Sequence, residues 1–171
     1  REYYIPAVAP YEDSNVHKTT AETNRIYNVT ESTKDSREDR WQTMPEDERA
    51  GVLTHPAFLA AHGGNFENDP SLVHRGKWVR EKILCGKIPP VPITVNAALD
   101  PDTRDQSARE RMKTQVDSRK ECAGCHSKMN PLGYPFEIYN HAGFVRTRDH
   151  GGPPDGSATL EHMPDPALDG V

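Results

Sequence analysis

Residues 122–126 read Cys122-Ala123-Gly124-Cys125-His126. The cysteines stand three apart with the histidine directly after, and on a helix residues three or four apart share a face. Two thiols and an imidazole in this register form the pattern of c-type haem attachment. Both sulfurs reach the vinyl-derived carbons of one porphyrin edge, and the imidazole projects beneath the ring toward iron. Ala123 and Gly124 are small enough for the helix to lie close against a flat macrocycle. A zinc ribbon needs a second ligand pair, and Cys85, the third cysteine of the chain, stands alone. A thioredoxin-type dithiol calls for a strand leading into the motif within a βαβ unit, whereas a charged helical stretch precedes it here. The pattern predicts one haem c, anchored by Cys122 and Cys125, with His126 as proximal ligand.

Working outward, the motif helix holds Cys122 to Met129 and must stop before Pro131. Pro135 can start another short helix through Tyr139. Beyond Gly143, Phe144-Val145-Arg146 reads as a strand, and residues 150–154 as a turn returning into Ser157 to Leu160, which together predict a short hairpin. Upstream, Asp102-Thr103 can cap a charged helix through about Ser118, whose apolar residues Ala108, Met112 and Val116 recur every four positions. Residues 87–95 (KIPPVPITV) are held extended by three prolines and predict a polyproline-like strap. Asp69-Pro70 opens a helix running to Cys85 and closed by Gly86, with Leu72, Gly76, Val79 and Ile83 spaced to share one face. Gly76 admits another backbone or a flat ligand on that face. Thr54-His55-Pro56 supplies a cap and an early proline for a helix over residues 57–62, stopped by Gly63-Gly64. Cys85 is expected to be a small buried residue at a helix end.

The chain has 171 residues, of which 34% are hydrophobic, and a net charge of -5. No run approaches the roughly 20 apolar residues that span a bilayer, and the acidic balance argues against a nucleic-acid or anionic-membrane partner. Three cysteines are too few for a disulfide-built scaffold. An apolar macrocycle would add buried surface to a thin core. Residues 12–40 are polar without sustained period, so residues 1–48 are expected to be an irregular arm ending a preceding domain. Asn28-Val29-Thr30, a glycosylation sequon by pattern, reads as a plain loop. Residues 49–171 are expected to be the haem-binding domain, cut short at its C terminus. The chain opens at Arg1 with no targeting segment, which reads as a processed or partial chain.

For the sixth position on iron, His55 is the first candidate, because Pro56 pins its exit direction. Met163 in a downstream Met-Pro pair and His62 on the same short helix as His55 are the alternatives. Met129 lies on the same side of its helix as His126 and is expected to pack rather than reach the opposite face of iron. Arg75, Arg80 and Arg146 are candidates for haem propionates, since the guanidinium fork matches a carboxylate.

From Arg49 onward the sequence resembles the cytochrome-c-like domains of unknown function found in large multi-domain proteins of planctomycetes and some other bacteria. The resemblance rests on Arg49 to Leu59, Asn68-Asp69-Pro70, Arg75 to Glu81 and Pro89-Pro90-Val91-Pro92. It continues with Cys122 to His126, Lys128-Met129-Asn130-Pro131-Leu132-Gly133, Phe136-Glu137, Gly143 and Arg146. This chain departs from the pattern at residues 113–116, where many members carry a histidine, and at Asn140, where an aspartate is common. The resemblance implies haem and export to the periplasm or cell surface.

The fold expected is mainly α: a small cytochrome-c-like haem domain of short helices, with a short C-terminal β-hairpin and an extended N-terminal arm. The function expected is one-electron transfer within a larger exported protein, with a redox partner protein or a neighbouring haem domain as partner. An open-site haem enzyme of peroxidase type, with Glu137 or a histidine moving protons, is one alternative. A haem-stapled structural module of a surface assembly is the other.

Overall fold

The described α-helices are short, and those starting at Pro56, Leu72 and Ala108 begin where a side chain caps the first turn. The computed structural model describes residues 2–5, 27–28, 40–64, 71–95, 106–150 and 152–171. Strand β1 (Glu2–Ile5) pairs antiparallel with β2 (Arg40–Thr43), Glu2 opposite Thr43 and Ile5 opposite Arg40. The N-terminal segment thus begins and ends in a two-stranded ribbon. The irregular stretch expected between them lies outside the described residues apart from Tyr27 and Asn28. Tyr27 donates its hydroxyl to the Ala142 carbonyl at 3.1 Å and sets its ring edge-on to Phe144, 4.8 Å between centroids.

Helix α1 spans Pro56–Ala61, and its cap is His55, whose Nδ1 accepts from the Ala57 amide at 3.1 Å. Helix α2 spans Leu72–Trp78 and starts where Ser71 Oγ accepts from the His74 amide; the expected opening at Asp69-Pro70 lies outside the described residues. A wider π turn over Val79–Ile83 continues it. The expected face holds only in part: Leu72 and Val79 are buried, but Ile83, the last residue of the π turn, is half exposed. Cys85 is exposed, not buried, since the chain there takes a left-handed turn with φ of 54°. The strap expected over residues 87–95 carries no regular element as far as Pro92 and then turns, the Val95 amide donating to the Pro92 carbonyl at 3.0 Å; Val91 and Ile93 are exposed.

Helix α3 (Ala108–Arg111) opens on a capping box: Ser107 Oγ accepts from the Glu110 amide, and Glu110 accepts from the Ser107 amide at 2.8 Å. The expected cap at Asp102-Thr103 lies outside the described residues. A π turn, Met112–Asp117, follows. Its wide pitch keeps Ala108, Met112 and Val116 on one buried face, each 4% exposed. Helix α4 spans Lys120–His126. Helix α5 (Asn130–Gly133) has Pro131 at its start, and a 3-10 turn, Tyr134–Ile138, takes Pro135 in the same way.

Two apolar clusters flank α2 and the π turn that continues it. Leu72 joins Ala108, Met112, Val116 and Cys122, while Val79 joins Phe58, Leu59, Leu132, Phe136 and Tyr139. Each such large side chain contributes roughly 1.5–3 kcal/mol on burial. Between the clusters, Arg75 is 0% exposed. Its guanidinium donates to the carbonyls of Leu59, Phe136, Tyr139 and Asn140. Arg49 fills a similar place, donating to Thr54 and Gly143 and lying 4.9 Å over the Tyr139 ring.

The described chain is mainly helical, but the expected C-terminal hairpin over residues 144–160 does not form. Val145 bridges back to Tyr139, and Asp149 bridges to Gly152 across a tight turn. Pro153 and Pro154 then remove the amides a returning strand would need. The Leu160 backbone pairs instead with Val171 and Gly170.

Candidate functional site

Helix α4 carries the whole motif on seven residues. Cys122 is 8% exposed and packs against Leu72, Met112 and Val116; Cys125 is half-buried; both are free thiols. Around Gly124 a Cβ would meet nothing within 4 Å, so that surface of the helix is open.

His126 lines a cleft of about 460 Å³ together with Arg109, Asp117, Asn130, Tyr134 and Glu161, and the segment Ser157-Ala158-Thr159 supplies more of the lining. The volume falls within the roughly 300–1,000 Å³ of small-molecule and cofactor sites. His126 Nδ1 lies 3.1 Å from Asn130 Oδ1, and Asn130 Nδ2 donates toward Asp117 Oδ1 at 3.4 Å. With Nδ1 engaged, Nε2 is the nitrogen left for a ligand. Partial burial holds Asp117 above its ordinary 3.8, with His126 pulling the other way. Tyr134 is raised above its ordinary 10.0, by burial first and the charge of Asp117 next, while Arg109 and a hydrogen bond from Asn130 oppose.

Arg109 carries no local sequence signal, yet it organises the rim of the cleft. It donates to Glu137 Oε2 at 2.9 Å and to the carbonyls of Asp155 and Ser157, pairs with the Asp155 carboxylate at 3.0 Å, and stacks 4.2 Å over Tyr134. It thereby clips residues 155–157 beside α3. Glu137 is 1% exposed, and burial raises its pKa above the ordinary 4.5 despite Arg109.

The other residues singled out from sequence lie elsewhere. His55 caps α1. His62 lines a second cleft, about 470 Å³, with His74, Lys77, Trp78 and Glu81, its ring 5.5 Å from that of Trp78. Burial, then Arg75 and His74, hold His62 below its ordinary 6.5. Met163 packs on the Phe58–Phe136 cluster. Met129 is buried, and its carbonyl lies against Gly76. Arg75 is committed to four carbonyls. Arg146 donates to the Glu137 carbonyl and to Asp149 at 2.6 Å, and Arg80 to the His162 carbonyl. The structure thus brings Asp117, His126 and Asn130 together at one cleft, and places Cys122, Cys125, His55, His62 and Met163 outside its lining.

Among the described residues no three His, Cys, Asp or Glu side chains gather as a ligand set for a bare metal ion, and no helix is long and apolar enough to cross a membrane. The residue types on α4, two thiols three residues apart and an imidazole held through one nitrogen, are those a c-type haem takes, but Cys122 is buried against the Leu72 cluster and neither thiol is part of the cleft lining. No curated protein and no solved structure matches the chain. One family does, PSCyt3, described as a protein of unknown function (DUF1588), over residues 49–149. With more than half of its length matched by that family, and the matched span running from the buried Arg49 through the whole of α4 and α5, this chain belongs to PSCyt3.

Proposed function

We propose that this chain holds one covalently attached c-type haem and passes single electrons to a redox partner protein or a neighbouring haem domain of a larger exported protein. Cys122 and Cys125 hold the group through thioethers, and His126 offers Nε2 to the iron. The observation that carries the reading is the anchored imidazole at the edge of a cofactor-sized cleft, on the same short helix as two free thiols. When bound, the haem supplies a one-electron couple. The chain's own residues position and shield it: Asn130 orients His126, the Cys122 cluster fixes one face of α4, and Arg109 keeps residues 155–157 beside the cleft. The name PSCyt3 and the cytochrome-like resemblance of residues 49–171 support this reading. Covalent haem attachment takes place outside the cytoplasm, so a periplasmic or cell-surface location goes with this reading.

The test is a pyridine haemochrome spectrum on the chain produced with a c-type maturation system, together with haem staining after denaturing electrophoresis. A thioether-type band that survives denaturation, and is lost in C122A/C125A, is the expected result. Absence of covalent haem in the parent chain would overturn the reading.

One observation favours a second reading, an open-site haem enzyme of peroxidase type. The cleft that His126 shares is lined further by Ser157, Thr159 and Glu161, oxygen groups suited to guiding a small polar oxidant and its protons. A five-coordinate high-spin visible spectrum would select it, and a six-coordinate low-spin spectrum would select electron transfer.

A further inference from the structure

The Asn130 amide has two ends and lies among Asp117, His126 and Tyr134, of which the first two distinguish its ends. One neighbour is the Asp117 carboxylate, which as an ion only accepts hydrogen bonds, so the NH2 end of the amide must face it. The carbonyl end, Oδ1, is then turned to His126 Nδ1 at 3.1 Å. A carbonyl oxygen has no proton to give, so Nδ1 must carry the hydrogen, and the lone pair of the neutral ring is placed on Nε2. Neither partner can drift far. Asn130 is 2% exposed at the first position of α5, with Pro131 fixing the backbone after it, and the Met129 amide donates to the His126 carbonyl across the intervening turn.

We infer that Asp117 and Asn130 are positioning residues that act in series, Asp117 fixing which way the Asn130 amide points and Asn130 fixing His126 as the Nδ1–H tautomer with Nε2 free to bind a metal. The inference deepens the haem reading and rests on it for its functional consequence. A hydrogen bond accepted from Nδ1–H makes the imidazole a stronger donor through Nε2. A stronger donor favours the more positive, ferric iron, so the relay lowers the reduction potential. It also explains what Asn130 does within the Lys128-to-Gly133 run: it serves the histidine one turn before it.

The experiment compares the matured full chain with Asn130→Leu, Asn130→Asp and Asp117→Asn. The haemochrome band is scored first, because it alone decides whether haem is present. With haem present, Asn130→Leu is expected to raise the reduction potential and Asp117→Asn, an exposed position, to raise it less. Asn130→Asp, which keeps an acceptor in place, is expected to hold the potential at or below that of the parent. A packing defect would move Leu and Asp variants alike, so the split between them separates positioning from structure. An unchanged potential in both Asn130→Leu and Asp117→Asn overturns the inference while leaving the haem reading intact. If the matured chain proves haem-free, the haem reading fails by itself, and nitrogen NMR of the His126 ring decides the inference. Nδ1–H in the parent, shifting toward Nε2–H in Asn130→Leu, supports it, and the same tautomer in both overturns it.

Discussion

Gly76 and Gly133 meet where α2 crosses α5, so closely that a Cβ on Gly76 would stand 2.8 Å from the Gly133 nitrogen, with the Met129 carbonyl closer still. A Cβ on Gly133 would in turn run into the Leu72 carbonyl. The obstacles are main chain on both sides and cannot rotate away. Of the two guests the sequence allowed at Gly76, a backbone or a flat ligand, the structure seats a backbone. Gly76→Ala and Gly133→Ala should therefore each destabilise by about 3 kcal/mol, at the upper end of ordinary overpacking, in spite of the helix propensity alanine brings. Urea unfolding of each variant measures this, and a midpoint equal to the parent's would show that the crossing can open without cost.

Arg75 is expected to matter for stability before anything else. Burial, reinforced by nearby Arg146, lowers its pKa to about 10, so at neutral pH it remains a cation surrounded by carbonyls. Hydrogen bonds to a charged group contribute roughly 1.5–3 kcal/mol each before the desolvation of the charge is subtracted. Arg75→Lys keeps the charge but cannot span four acceptors. A loss of about 3 kcal/mol, read from denaturant midpoints, is the outcome expected, with haem content unchanged in the molecules that remain folded. A shift of reduction potential without loss of stability would instead return Arg75 to the propionates.

The cap at His55 supplies a third prediction. Its Nδ1 accepts the Ala57 amide at the start of α1, so His55→Ala should cost about 1 kcal/mol, as loss of a cap commonly does, and His55→Asn should recover most of it. The visible spectrum of the haem protein should not change. Loss of a low-spin spectrum in His55→Ala would assign the residue to iron.

Glu137 provides the pH dependence. Its Oε1 is buried without a hydrogen-bond partner among the described residues, and burial holds the folded-state pKa above 4.5. As pH falls from neutral through that raised pKa toward 4.5, the native state takes up a proton before the unfolded chain does. Glu137 therefore adds stability as pH falls across this window and withdraws it as pH rises. Thermal midpoints of the parent and Glu137→Gln, followed from pH 7 to about 4.5, should differ in slope, the variant lacking this contribution. Parallel curves would mean that Arg109 keeps Glu137 ionised throughout.

Short-range features were legible in the amino-acid sequence alone. The motif from Cys122 to His126 announces its helix within five residues. The spacing of Ala108, Met112 and Val116 announces a buried face, and His55 with Pro56 marks where α1 begins. Each depends on partners within about one helical turn, where backbone geometry ties sequence spacing to direction in space. The tertiary structure decided everything that depends on distant partners. Arg75 reads in sequence as a candidate for a haem propionate, and only the return of residues 136–140, more than sixty positions away, makes it a buried hub. Arg109 gains its place at the cleft from residues 28 to 48 positions distant. The hairpin expected after Gly143 does not form, since Val145 bridges back to Tyr139 and Leu160 pairs with Gly170 and Val171, and Ile83, expected on the buried face, is half exposed. Asn130 shows both levels at once: its four-residue spacing from His126 is written in the chain, but the direction of its amide is set by Asp117, thirteen residues earlier and brought beside it only by folding.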